Sequence, residues 1–136
     1  MNNIKFRREE EELIWQMGEA WGRIEIDAEG RLYTWPQAWK GKDSVTESWN
    51  IYQIDHILAL AWDWLWENEF DAAWLELFFV QRPALRISAI EREAGLGTGT
   101  LSKAVKGRTK LTPAVKEKLK PVLRHYGFTW KAPPSL

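Results

Sequence analysis

Between residues 49 and 80 the chain is patterned for helices. Ile51, Ile54, Ile57, Leu58, Ala61 and Leu65 recur at helical spacing, and Trp62, Trp64 and Trp66 widen that stripe. The segment becomes apolar nearly all round, as a buried or interface helix is. Ser44 and Glu47 make a capping box, S-x-x-E, ahead of it. Asn68 marks a break, and a second helix is expected over residues 69–80 with Ala73, Trp74, Leu77 and Phe78 inward. Upstream the period changes. Ile24 and Ile26 alternate with Arg23 and Glu25, "DAEG" turns the chain, and Leu32 and Tyr33 resume, which predicts a β-hairpin. The stretch "FRREEEELIWQM" within residues 4–18 reads equally as a helix with a solvated start or as a strand. Pro36 and "KGKDS" read as loop.

From Pro83 a second pattern begins. Ile87, Ile90 and Ala94 form one apolar stripe, and Gly95 sits where that helix must stop. Leu96 follows as an apolar plug, and Gly97 or Thr98 can open the next helix. Leu101, Ala104 and Val105 are its inward stripe and Gly107 ends it. Thr112 with Pro113 predicts a further helix start. Val115, Leu119, Val122 and Leu123 give that helix its core stripe, Pro121 is expected to kink or split it, and Gly127 closes it. The last six residues, "KAPPSL", read as a tail. The expected class is mainly α (α+β): an N-terminal β-hairpin and Trp-rich helices, then a C-terminal helix-turn-helix bundle. The expected domains are residues 1–80, 81–131 and a tail at 132–136, with the boundary near Gln81.

Charge sharpens that boundary. The net charge is zero, from 19 basic and 19 acidic residues. Residues 1–80 hold 7 Lys/Arg against 16 Asp/Glu, and residues 81–136 hold 12 against 3, so the parts carry −9 and +9. A basic module of this size attracts polyanions, nucleic acid above all. The absence of cysteine excludes disulfides and thiolate metal sites. Asp63, Glu67 and Asp71 interrupt the most apolar run below the about 18 residues of a membrane span. "MNNIKFRREEEE" lacks a signal-peptide core, so a cytoplasmic protein with no membrane partner is expected.

The residues "EAGLGTGTLSKAVKG" resemble the helix-turn-helix of lactose-repressor-type and phage-repressor-type (XRE-like) transcription regulators. Ala94, Gly95, Leu96, Thr100, Leu101, Ser102 and Lys103 carry the match, which extends over residues 83–127 if the following helix is counted. Glu91 departs from it, because those families usually place a small residue there, and Gly99 departs by having no side chain. The resemblance implies that Thr98, Gly99 and Lys103 face bases in the major groove. Thr100, Ser102, Lys106, Arg108 and Lys110 would meet phosphates. Chemistry agrees, since a lysine one turn into such a helix reaches guanine O6/N7 and hydroxyls suit phosphate oxygens. The expected function is sequence-specific binding of double-stranded DNA as a homodimeric transcription regulator of bacterial or phage type.

Ten tryptophans stand in the chain, nine of them in residues 1–80. Trp62, Trp64, Trp66 and Trp74 are expected at a dimer or partner interface, where tryptophan is favoured. A second reading is a phage anti-defence (anti-CRISPR-like) inhibitor whose acidic half binds a host protein. A third is a ligand-responsive sensor. No catalytic residues, no metal and no cofactor are expected: His56 and His125 are far apart, and His56, Asp63 and Glu67 lack the short spacing of a metal-ligand pair.

Overall fold

In the computed structural model, which describes residues 4–38 and 51–131, the acidic run Glu9–Glu12 is the tip of a β-hairpin. Strands β1 (Lys5–Glu9), β2 (Glu12–Met17), β3 (Ala20–Ile26), β4 (Leu32–Tyr33) and β5 (Gln37–Ala38) form one antiparallel sheet. Its order is β1-β2-β3-β4, with β5 also paired to β3. The helices are α1 (Ile51–Asn68), α2 (Ala72–Val80), α3 (Ile87–Glu93), α4 (Thr100–Val105) and α5 (Pro113–His125). The expectation of a mainly α chain with a lone hairpin is therefore corrected to an α+β mix. The β3–β4 hairpin exists where predicted, with Ile26 opposite Leu32, but it is one corner of a larger sheet. The capping box at Ser44 and Glu47 and the "KGKDS" loop lie outside the described residues.

Register explains the sheet. Phe6 faces Trp15, Trp15 faces Gly22, and Leu13 faces Ile24, so one face collects the large apolar side chains. Gly22 is required by that packing: a Cβ there would stand 2.6 Å from Trp15 Nε1 and 2.9 Å from Thr34 Oγ1. The buried Trp15 indole donates to Thr34 Oγ1 at 2.9 Å, and that hydroxyl donates to the Arg23 carbonyl at 2.7 Å. The other face is polar. Arg7 and Arg23 flank Ile14 in register and pair with Glu9 and Glu12, and Arg23 also lies 5.3 Å over the half-buried Trp21, so Ile14 is buried on a face that is otherwise largely polar.

Contacts divide the chain into two compact units. One is built from the residues up to Trp64 together with Trp130 and Lys131, and the other from Leu65–Thr129. The division falls inside α1, not near Gln81 where the charge changes. In the first unit Phe6 meets Trp64, Trp62 meets Trp130 edge-on, and the Trp130 backbone N–H donates to the Gly30 carbonyl.

The second unit is helical and centred on aromatic rings. Trp66 stacks on Phe70 with centroids 3.9 Å apart, and Phe128 stands edge-on to both. Leu75, Phe78, Ile90, Leu101, Leu119 and Leu123 complete the buried set. Helix α1 ends at Asn68 as expected, but α2 starts at Ala72, because the Asp71 carboxylate accepts from the Ala73 and Trp74 N–H groups. Of the residues expected inward on α2, Phe78 is buried, Ala73 is exposed, and Leu75 takes the other core place. Pro121 does not split α5, which runs unbroken with Thr112 as N-cap. Leu119 and Leu123 bury the turns on either side of Pro121. Pro121 and Glu117 are both exposed, so water can serve the carbonyl that loses its partner. Arg82 ties helix ends together: it donates to the Phe78, Tyr126 and Gly127 carbonyls and lies 4.2 Å over the Phe78 ring. Burial pulls its pKa below the usual arginine value.

Candidate nucleic-acid interface

The corner between α3 and α4 is built by hydrogen bonds that need Gly95. At φ +71° it takes the left-handed conformation that ends a helix. The Leu96 N–H then returns to the Glu91 carbonyl at 2.8 Å, and the Gly95 N–H to Arg92 at 3.1 Å. Ile90, Ala94, Leu101 and Ala104 are buried, while Ile87, Leu96 and Val105 are half-buried beside them.

Glu91 occupies an inward position on α3 and is only 4% exposed. Its carboxylate accepts the Leu101 N–H at 2.7 Å. Leu101 is the second residue of α4, where backbone donors lack helical partners, and the N-cap residue Gly99 has no side chain to serve them. An acid on the neighbouring helix therefore caps α4. This resolves the departure at Glu91: the position does not hold a small residue because it holds the cap. The sequence signal was an acid on the stripe formed with Ile87, Ile90 and Ala94.

Helical spacing puts Gly99, Ser102, Lys103 and Lys106 on the face of α4 opposite Leu101 and Ala104. Thr98, Lys103 and Lys106 are exposed, and Gly99 and Ser102 are half-exposed. The Lys103 stem runs back along the helix, with Cε 4.0 Å from where a Gly99 Cβ would stand. This carries its ammonium toward the Thr98–Gly99 end. Arg108 and Lys110 follow on the exposed segment before α5. Thr100 is a correction. Both its hydroxyl and its N–H donate to the Gly97 carbonyl, at 2.7 and 3.2 Å, so neither is left for a phosphate.

The charge around this face is mainly basic, with Asp71 at its edge in a groove shared with Ala104, Gly107, Thr109 and Lys110. The three acids after residue 81 are Glu91, Glu93 and Glu117. Glu91 is buried under α4, and Glu93 accepts the Tyr126 hydroxyl, which raises that phenol's pKa above its usual value. Arg86, Arg92, Lys103, Lys106, Arg108, Lys110, Lys118 and Arg124 are exposed.

The four tryptophans expected at an interface separate. Trp66 is fully buried, with its indole N–H donating to the Lys116 carbonyl at 3.2 Å, so it belongs to the core. Trp62, Trp64 and Trp74 are half-buried against Trp130, Phe6 and Phe128 respectively. Among the described residues no cluster of His, Asp and Glu has a metal-holding arrangement, and no helix is long and apolar enough to cross a membrane. No family model matches this chain, and no curated protein or solved structure is significantly similar to it.

Proposed function

We propose that this protein binds double-stranded DNA in a sequence-specific manner, with α4 in the major groove, and acts as a transcription regulator. One observation carries the reading: the outward face of a short helix held by a glycine corner presents Thr98, Gly99, Ser102 and Lys103, with no exposed acid on it. Gly99 lets backbone approach the groove closely, Thr98 offers a hydroxyl and a methyl to a base, and Lys103 offers donors to guanine. Ser102, Lys106, Arg108 and Lys110 add phosphate contacts that set affinity and salt dependence. A homodimer would read two half-sites about 34 Å apart.

The test is selection from a random duplex library, followed by anisotropy titration at low and near-physiological salt. An enriched motif that survives the higher salt supports the reading. Lys103→Ala should then cost about 1–3 kcal/mol and blur one base preference. Lys106→Ala or Arg108→Ala should weaken all sequences alike and lower the salt slope by about one unit. Binding without a motif that vanishes with salt would reduce the face to a basic patch.

A further inference from the structure

Helix α2 shows the solvent an apolar stripe that the DNA reading does not use. Ala73, Leu77 and Val80 share one helical face with Glu76, and Val80 is 67% exposed. With Trp74 and Asp71 they line an open groove of about 420 Å³. Among the described residues that line it, the charged ones are the acids Asp71 and Glu76. The stretch 65–80 adds Glu67 and Glu69 and holds no lysine or arginine, while Lys110 lines a neighbouring groove with Asp71 and Ala73, so Glu76 is the acid on the outer face.

These features select among occupants. DNA is disfavoured, because phosphates would meet carboxylates. A second copy docked symmetrically through the same face is disfavoured too, because a two-fold axis sets the acids of one copy against those of the other. A stripe at i, i+4 and i+7 fits a helix laid alongside, and an acidic rim fits basic flanks. We propose that the outer face of α2 is a docking site for an amphipathic helix of a partner protein, one whose apolar ridge is bordered by lysine or arginine. Val80 and Leu77 supply the apolar contact, and Glu76 supplies charge selection. The inference is independent of what α4 binds.

The experiment titrates the full-length isotope-labelled protein with a synthetic helical peptide. The peptide carries leucines at i, i+3, i+4 and i+7 spacing and lysines on both flanks, and a second peptide has glutamate in place of lysine. The lysine peptide is expected to shift the amides of residues 73–80 and the Trp74 indole, and the glutamate peptide is expected not to. Val80→Ser should weaken binding about tenfold, as truncation of a central interface side chain does. Glu76→Lys should weaken it as well and remove its salt dependence. Both residues are exposed, so the spectrum outside α2 should be unchanged in either variant. The proposal is overturned if both peptides bind alike, if the shifts fall on other surfaces, or if neither substitution changes affinity. It is also overturned if the α2 amides shift with protein concentration alone, which would make a second copy the occupant.

Discussion

Replacing Glu91 by alanine would give this chain the small residue that the resembling families carry, and the structure says the change should be harmful. The carboxylate is buried and holds the Leu101 N–H at 2.7 Å. Removing it loses a charge-assisted hydrogen bond, with a net worth of about 1.5–3 kcal/mol, and strands a buried donor. Against this stands the cost of keeping a carboxylate buried, which the variant escapes. The expected net loss is about 2 kcal/mol, or a fall in Tm of about 6–8 °C for a chain of this size. Glu91→Gln keeps a carbonyl acceptor and loses only the charge at the start of α4, so about 0.5–1 kcal/mol should go.

Urea unfolding followed by tryptophan fluorescence measures both variants, and amide exchange reads the site itself. The Leu101 amide should exchange faster in Glu91→Ala with little change in the Leu119 amide under conditions of local opening. The reasoning fails if Glu91→Ala lies within about 0.5 kcal/mol of the parent, or if alanine and glutamine cost the same. The second result would mean that the charge alone, and neither an acceptor for Leu101 nor the side chain's volume, is what the position supplies.

Other consequences are simpler to state. Gly22→Ala should cost at least about 2 kcal/mol in thermal unfolding, because its Cβ would press on the Trp15 ring and break the Trp15–Thr34 bond; a neutral result would refute the β2–β3 register. Tyr126 should titrate above the usual tyrosine value because its hydroxyl donates to Glu93, and Glu93→Gln should bring it back down, as read by its ring resonances during an alkaline titration. Since the folded pKa is the raised one, that contact stabilises the protein below pH about 10 and is lost as pH rises through the raised value.

The legible parts of this fold are those where local chemistry and packing agree. The stop at Gly95, the stripes on α3, α4 and α5, the Thr112–Pro113 start and the end of α1 at Asn68 all follow from residues that touch their own helix. The sheet was half hidden because its first turn is made of acids. Glu9–Glu12 is a poor turn by composition, and Glu10 sits there at φ +56°. Only cross-strand partners such as Leu13–Ile24 and Trp15–Gly22 fix it, and those pairings are not local. On the α4 face, exposure of Thr98, Lys103 and Lys106 was readable from helical spacing. The cap from Glu91 was not, because it links residues ten apart across a corner. Thr100 misled for a related reason: a hydroxyl suited to phosphate was already committed to the turn.

Charge drew the boundary at Gln81, but packing draws it elsewhere, and the difference can be tested with fragments. The basic segment 81–136 looks self-sufficient in sequence. Yet Phe128, which is buried in its final stretch, touches Trp66, Phe70, Trp74 and Phe78, all of which precede Gln81. A fragment starting at Gln81 loses five core side chains, Leu65, Trp66, Phe70, Leu75 and Phe78. At about 1.5–3 kcal/mol for each buried side chain, the deficit is about 8–15 kcal/mol. A small domain's whole stability is about 5–15 kcal/mol, so the deficit consumes most or all of it. Residues 81–136 alone should therefore show no cooperative melt by circular dichroism and poorly dispersed amide resonances, and a fragment beginning at Leu65 should recover both. A folded, cooperatively melting 81–136 would mean that the aromatic cluster around Phe128 is dispensable, and that the change in charge, not the division of the core, marks where this protein's modules meet.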